Sequence, residues 1–105
     1  MAVTPTALFR GAATTTTTTV LYTVPASTSA VVSNIVVTNT SGSAQTFTLA
    51  MGPSASQVAI ATTVAIAANA IVTLDIKQVL ATTNTITGGA SATSVNFHIS
   101  GVQIV

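Results

Sequence analysis

AQTFTLAM, Ala44–Met51, places Phe47, Leu49 and Met51 on one side of an extended chain and Thr46 and Thr48 on the other. A period of two is the mark of a strand with one face buried, because successive Cβ atoms point to opposite sides of the pleat. The same alternation recurs downstream. In AIVTLDIK, Ala70–Lys77, the residues Ala70, Val72, Leu74 and Ile76 share a face, and Thr73, Asp75 and Lys77 share the other. Near the end Val95, Phe97 and Ile99 point one way and Asn96, His98 and Ser100 the other, until Gly101 changes the phase and Val102 and Ile104 take over. A glycine there marks a bulge or a strand passing from one sheet to its neighbour.

Residue type agrees with period. The apolar residues are mostly Val, Ile and Ala and the polar ones mostly Thr; β-branched side chains lose rotamer freedom in a helix but pack well on a pleated surface. Turn chemistry separates the strands at the spacing of a sandwich. NTSGSA, Asn39–Ala44, reads as a hairpin loop with Gly42 supplying positive φ. MGPSAS breaks the chain at Gly52 and Pro53, AAN at Ala67–Asn69 makes a short turn, TGGAS precedes the last strand, and QVL, Gln78–Leu80, reads as a single helical turn. The expectation is an all-β, single-domain antiparallel β-sandwich, jelly-roll or Ig-like, with about seven or eight short strands over residues 1–105. Within it, residues 1–19 are expected as an extended N-terminal arm followed by a Thr-rich connector.

That connector is TTTTTT, Thr14–Thr19, which runs straight into the alternating Val20, Tyr22 and Val24. A mucin-like stalk would be longer and carry prolines, and an ice-binding array would repeat its threonines at fixed intervals across several strands. Neither pattern is present. The run is read as a link from the segment Ala7–Gly11, docked on a neighbouring surface, into the strand of Val20–Val24.

Composition then excludes whole classes of function. Disordered chains combine low hydrophobicity with high charge, whereas this one is 49% hydrophobic and 3% charged. Arg10, Asp75 and Lys77 carry the only fixed side-chain charges, for a net +1. Two separated cations leave no electrostatic footprint for nucleic acid. Thr62, Thr63 and Asn69 interrupt the most apolar stretch, Val58–Val72, well short of a membrane-spanning run. MAVTPTALFRG lacks the basic and apolar regions of a signal peptide, so synthesis in the cytoplasm is expected. With no cysteine there is neither a disulfide framework nor a thiol nucleophile.

Catalytic chemistry is equally short of parts. Asp75 is the single carboxylate side chain and His98 the single imidazole, so paired-carboxylate chemistry is out of reach within one chain. The Ser/His/Asp set formally available has no nucleophile-elbow pattern around any serine. No glycine-rich phosphate loop and no metal-ligand cluster is present, so neither a cofactor nor a catalytic role is expected. A surface with almost no charge has little to keep copies apart, and self-association is the expected state. The candidate subunit-interface residues are Leu8, Phe9 and Arg10 of the arm, Val32 and Val36, which lie on the second parity of AVVSNIVVTNT, and Asp75 and Lys77.

The stretches TVLYTVPASTSAVVSNIVVTNTSGSAQTFTLAM and LDIKQVLATTNTITG, followed by NFHISGVQI, resemble small β-sandwich structural proteins of tailed bacteriophage particles, over about Leu8 to Val105. The resemblance is one of strand and turn order, without a catalytic signature. It implies a virion location and a decoration or cement protein, trimeric, whose partners are other copies of itself and the major capsid protein. It equally admits a tail-associated subunit, or a host- or glycan-binding module; the latter would favour exposed aromatic platforms, and the chain has no Trp and a single Tyr.

Overall fold

Every strand of the protein pairs antiparallel, and the computed structural model describes residues 2–53 and 56–105; Ser54 and Ala55 of the MGPSAS turn lie outside the described residues. Among the described residues there are nine strands and no helix: β1 (Val3–Ala12), β2 (Val20–Thr23), β3 (Ser29–Asn39), β4 (Gln45–Gly52), β5 (Val58–Ile66), β6 (Ile71–Leu74), β7 (Gln78–Leu80), β8 (Thr85–Ala90) and β9 (Val95–Ile104). The first sheet runs β1-β9-β3-β6, with β7 also on β3, and the second runs β2-β8-β4-β5. The expected β-sandwich is what forms, with more strands than expected, and β1, β3 and β9 are long rather than short.

Alternation decides which side chains meet between the sheets. Phe47, Leu49 and Met51 of β4 and Val95, Phe97 and Ile99 of β9 are buried, as are Ile35, Val37, Ile66 and Ile86. Phe47 and Phe97 meet edge to face across the core, with centroids 6.3 Å apart and planes at 73°, an arrangement that the ring quadrupoles favour. Ala70, Val72, Leu74 and Ile76 pack against the core on the expected face. Asn39, the last residue of β3, is buried yet well supplied with partners: its amide donates to the Ser43, Ile66 and Ala67 carbonyls, and its Oδ1 accepts from the Ser41 backbone N–H and hydroxyl. Through it the first sheet is tied to the end of β5 in the second. At the opposite end Gln103 Nε2 donates to Tyr22 Oη at 2.6 Å, joining β9 to β2.

Four expectations are corrected. The N-terminal segment is extended, but its partner is its own chain and not a neighbouring surface: β1 pairs with β9 from Val3↔Ile104 to Ala12↔Asn96. Gln78–Leu80 is extended rather than helical, because Val31 and its neighbours in β3 offer ladder partners (Val31↔Val79). Gly42 does not carry the NTSGSA turn by positive φ; among the described glycines only Gly52 has one, and the turn is closed by Asn39 and Ser41 side chains instead. Gly101 does not break β9 either. The irregularities fall in the two strands beside it, with one extra residue in β1 at Leu8 and one in β3 at Ser33.

Those two bulges reset which residues face inward. In β1, Ala7 faces out, whereas Leu8 is buried and Phe9 packs against the core. In β3, Ala30 and Val32 are buried before the bulge and Ile35, Val37 and Asn39 after it. Leu8 and Val32, expected at a subunit interface, are therefore core residues, and Phe9 is half-buried against the same core.

Candidate functional site

The outer face of the first sheet follows from the register. Its cross-strand rows are Val3, Ile104 and Ser29; Pro5, Val102, Val31 and Val79; Ala7, Ser100 and Asn34; Arg10, His98, Val36 and Thr73; and Ala12, Asn96, Thr38 and Ile71. One end of this face is apolar. Val3 is 60% exposed and Val79 72%, with Pro5 exposed and Val31, Val102 and Ile104 half-buried between them. Contiguous apolar surface of this kind marks an interaction site more often than scattered exposed residues do.

Of the residues expected at an interface, Arg10, Val36, Asp75 and Lys77 do lie on this face or at its edge. Arg10 is exposed in one row with His98 and half-buried Val36. Asp75 and Lys77 follow β6 on the outward parity, with Nζ to Oδ1 3.5 Å and both side chains largely exposed, so the pair is solvated and contributes little to stability. Between Arg10 and β3, above the two bulges, a shallow depression of about 420 Å³ is lined by Ala7, Arg10, Ser33, Ser100 and Gly101 among others. Sequence reasoning passed over Val3, Pro5, Val31, Val79, Val102 and Ile104 as a group. Their adjacency is set by strand order, which alternation within each strand does not report.

The threonine run shapes the second sheet. Thr14–Thr19 joins β1 to β2 as expected, but as a closed turn: the Thr14 and Thr19 hydroxyls are hydrogen-bonded at 2.6 Å, one donating to the other, and the accepting hydroxyl is placed to donate its own proton to the Thr16 carbonyl. The Gly88 and Ala90 N–H groups of β8 donate to the Thr19 and Thr14 carbonyls, pinning both ends of the turn. Thr16 lies directly over Gly89, where a Cβ would overlap the Thr16 carbonyl and sit 2.9 Å from Thr14 O. Gly89→Ala is accordingly expected to lift the turn off β8 at a cost of about 1–2 kcal/mol, the usual scale of overpacking where the neighbour can yield. Faster amide exchange at Gly88 and Ala90, with little change elsewhere, is the readout.

Beside this turn lies a groove of about 310 Å³ lined by Thr17, Thr18, Val20, Thr48, Ala50, Gln57, Thr85 and Thr87. Gln57 is its polar hub, donating to the Gly52 and Pro53 carbonyls and to Thr85 Oγ1 and accepting from Thr87 Oγ1. The groove contains hydroxyls and methyls but no charged side chain. Among the described residues no three His, Cys, Asp or Glu side chains gather as a metal site. His98 sits mid-sheet in the Arg10 row and makes no hydrogen bond to Asp75. Among the described residues no helix is long and apolar enough to cross a membrane.

No family model matches the chain, and no curated protein matches it in sequence. Solved structures do match in fold. A chain of the infectious bursal disease virus Gx strain superposes with a TM-score of 0.55 at 16% identity, covering 97% of this chain and 32% of that one. A chain of the viral particle of the same virus gives 0.56 at 12% identity, covering 97% and 30%. This chain thus spans about a third of the length of the virus chains it matches, and the likeness establishes the sandwich.

Proposed function

We propose that this chain is a structural subunit of a virus particle, which acts by holding to copies of itself and to a coat lattice and transforms no substrate. The observation that supports this most directly is the fold: nearly the whole chain superposes on part of a viral-particle chain. The surface fits the role. Hydroxyls, backbone groups and apolar contacts far outnumber charged groups on it, so most of the binding to neighbours is unscreened by salt. The finer reading, carried by the resemblance to tailed-phage proteins, is a capsid decoration or cement protein that binds the major capsid protein and stabilises it passively.

A second reading, a host- or glycan-binding module, is favoured by the uncharged, hydroxyl-lined groove between the threonine turn and Gln57. Particles assembled with and without the protein separate the two. For a cement protein, bound copies number in the hundreds and particles lacking it open at lower temperature. A handful of copies points to a tail or vertex component. Unchanged heat resistance with lost adsorption to cells would overturn the decoration role in favour of the binding module.

A further inference from the structure

We infer that the outer face of the first sheet is a self-complementary interface, on which a second copy packs face to face about a two-fold axis running parallel to the strands. The inference rests on reading the chain as an assembling structural protein, and it names the surface and the partner.

The sheet edges are poor places for assembly. β1 carries Pro5 and the Leu8 bulge. β5 takes two extra residues against β4, with Thr63 at φ 49° beside one of them. The remaining edges are β2 and β6, four residues each, and β7, three. Proline, bulges and short strands are the means by which proteins prevent edge-to-edge pairing. The extended faces are what remain, and that of the second sheet is partly roofed by the threonine turn.

Strand order decides the geometry on the face of the first sheet. A two-fold axis along the strands lays β1 over the β6–β7 edge of the second copy and β9 over its β3, while keeping each row opposite the same row. Pro5 then meets the partner subunit's Val79, and Val102 meets the partner subunit's Val31, so the apolar row covers itself. Asp75 is the first residue after β6, whose last pairing is Ile35↔Leu74, so it lies past that pair toward Asn34, two residues and about 7 Å along the chain from Thr73. Arg10 therefore comes down beside the partner subunit's Asp75, and the depression lined by Ala7, Arg10 and Ser100 lies where that carboxylate arrives. Lys77 flanks Asp75 on the side away from Arg10, giving an alternating positive, negative, positive order twice per dimer.

The other in-plane axis, across the strands, can cover the apolar row only by rotating about that end of the face. It leaves the Arg10 row facing solvent. Five rows on four strands give a footprint of roughly 600 Å² per copy, about 1,200 Å² for the pair, which reaches the lower bound of stable interfaces. This pairing is two-fold, in place of the trimer that the sequence resemblance implies.

Sedimentation velocity on the full chain tests it, with circular dichroism checking that each variant is folded. The wild-type chain is expected to be a dimer at micromolar concentration, and Val79→Asp, at an exposed site, a folded monomer. Arg10→Asp and Asp75→Arg should each weaken the dimer about tenfold, the combined effect of two symmetric, partly solvated pairs. The two substitutions together should restore the affinity to within about threefold. A wild-type monomer at about 1 mM, a trimer, or a double variant no tighter than either single one would overturn the pairing. Particle binding by a wild-type monomer would do so while leaving the virion reading intact; a dimer obeying the charge swap but never binding particles would do the reverse.

Discussion

Phe97→Ala is expected to remove about 3–5 kcal/mol of stability, the range for emptying a fully buried aromatic site. Against a total of about 5–15 kcal/mol for a domain of this size, the variant stands at the edge of unfolding at room temperature. Phe97 is completely buried, on β9 between β1 and β3, and its ring meets Phe47 of the second sheet edge to face. Loss of the ring therefore opens a void where the sheets join, and the β9 backbone, bonded on both sides, cannot sink to fill it. Urea denaturation should show the midpoint falling sharply at unchanged slope. Phe47→Ala should cost a similar amount, and the double variant less than the sum by about 1 kcal/mol, the coupling of an aromatic pair. Val79→Ala, on the outer face, should stay within about 0.5 kcal/mol in the monomer. A Phe97→Ala protein as stable as that control would mean the two sheets do not meet through these rings.

Where a strand runs without irregularity, the sequence reports its faces directly. Phe47, Leu49 and Met51, and Val95, Phe97 and Ile99, are buried where alternation places them. So are the half-buried Val72, Leu74 and Ile76 of the β6 segment. The two interface assignments that became core share one cause. Leu8 and Val32 adjoin bulges, and a bulge is defined by the strand opposite, which local alternation does not contain. One extra residue in β1 and one in β3 moved both side chains from the expected outer surface into the core. Gln78–Leu80 was ambiguous for a related reason: three residues carry no usable period, and the ladder with Val31 decided their conformation.

The candidate site was legible in its chemistry and not in its place. A chain with three fixed side-chain charges and one imidazole has a surface made mostly of hydroxyls and apolar groups. Parity puts Val36, Asp75 and Lys77 on an outward face, and Arg10 was singled out by its place in the N-terminal segment. The apolar row from Pro5 to Val79 draws its four members from β1, β9, β3 and β7, at separations only strand order brings together. The threonine run shows the same limit. Its role as a connector was readable, whereas its closure by hydroxyls over Gly89 depends on β8, some seventy residues away.

Gly101→Ala is expected to destabilise the protein by about 3 kcal/mol, the upper part of the overpacking range, because the obstruction is backbone. β9 lies between β1 and β3, and both neighbours bulge beside Gly101, at Leu8 and Ser33. A Cβ at Gly101 would overlap the Val31 carbonyl oxygen and lie 3.1 Å from both Val31 C and Leu8 Cδ1. Leu8 can rotate away, but Val31 belongs to the β3–β7 ladder and to the β3–β9 ladder at once, so relief requires moving a central strand. Gly42 is the control: a Cβ there meets nothing within 4 Å and the residue needs no positive φ, so Gly42→Ala should be neutral or stabilising by about 0.4–1 kcal/mol through the unfolded chain. Leu8→Ala placed on top of Gly101→Ala should cost less than it does alone, since part of the crowding is then removed. Urea midpoints for the four variants decide the matter. Additive losses would show that Leu8 does not lie over Gly101, and a Gly101→Ala protein within about 0.5 kcal/mol of wild type would show that β1 and β3 do not bulge together at this point, which would also displace Arg10 from the depression it borders.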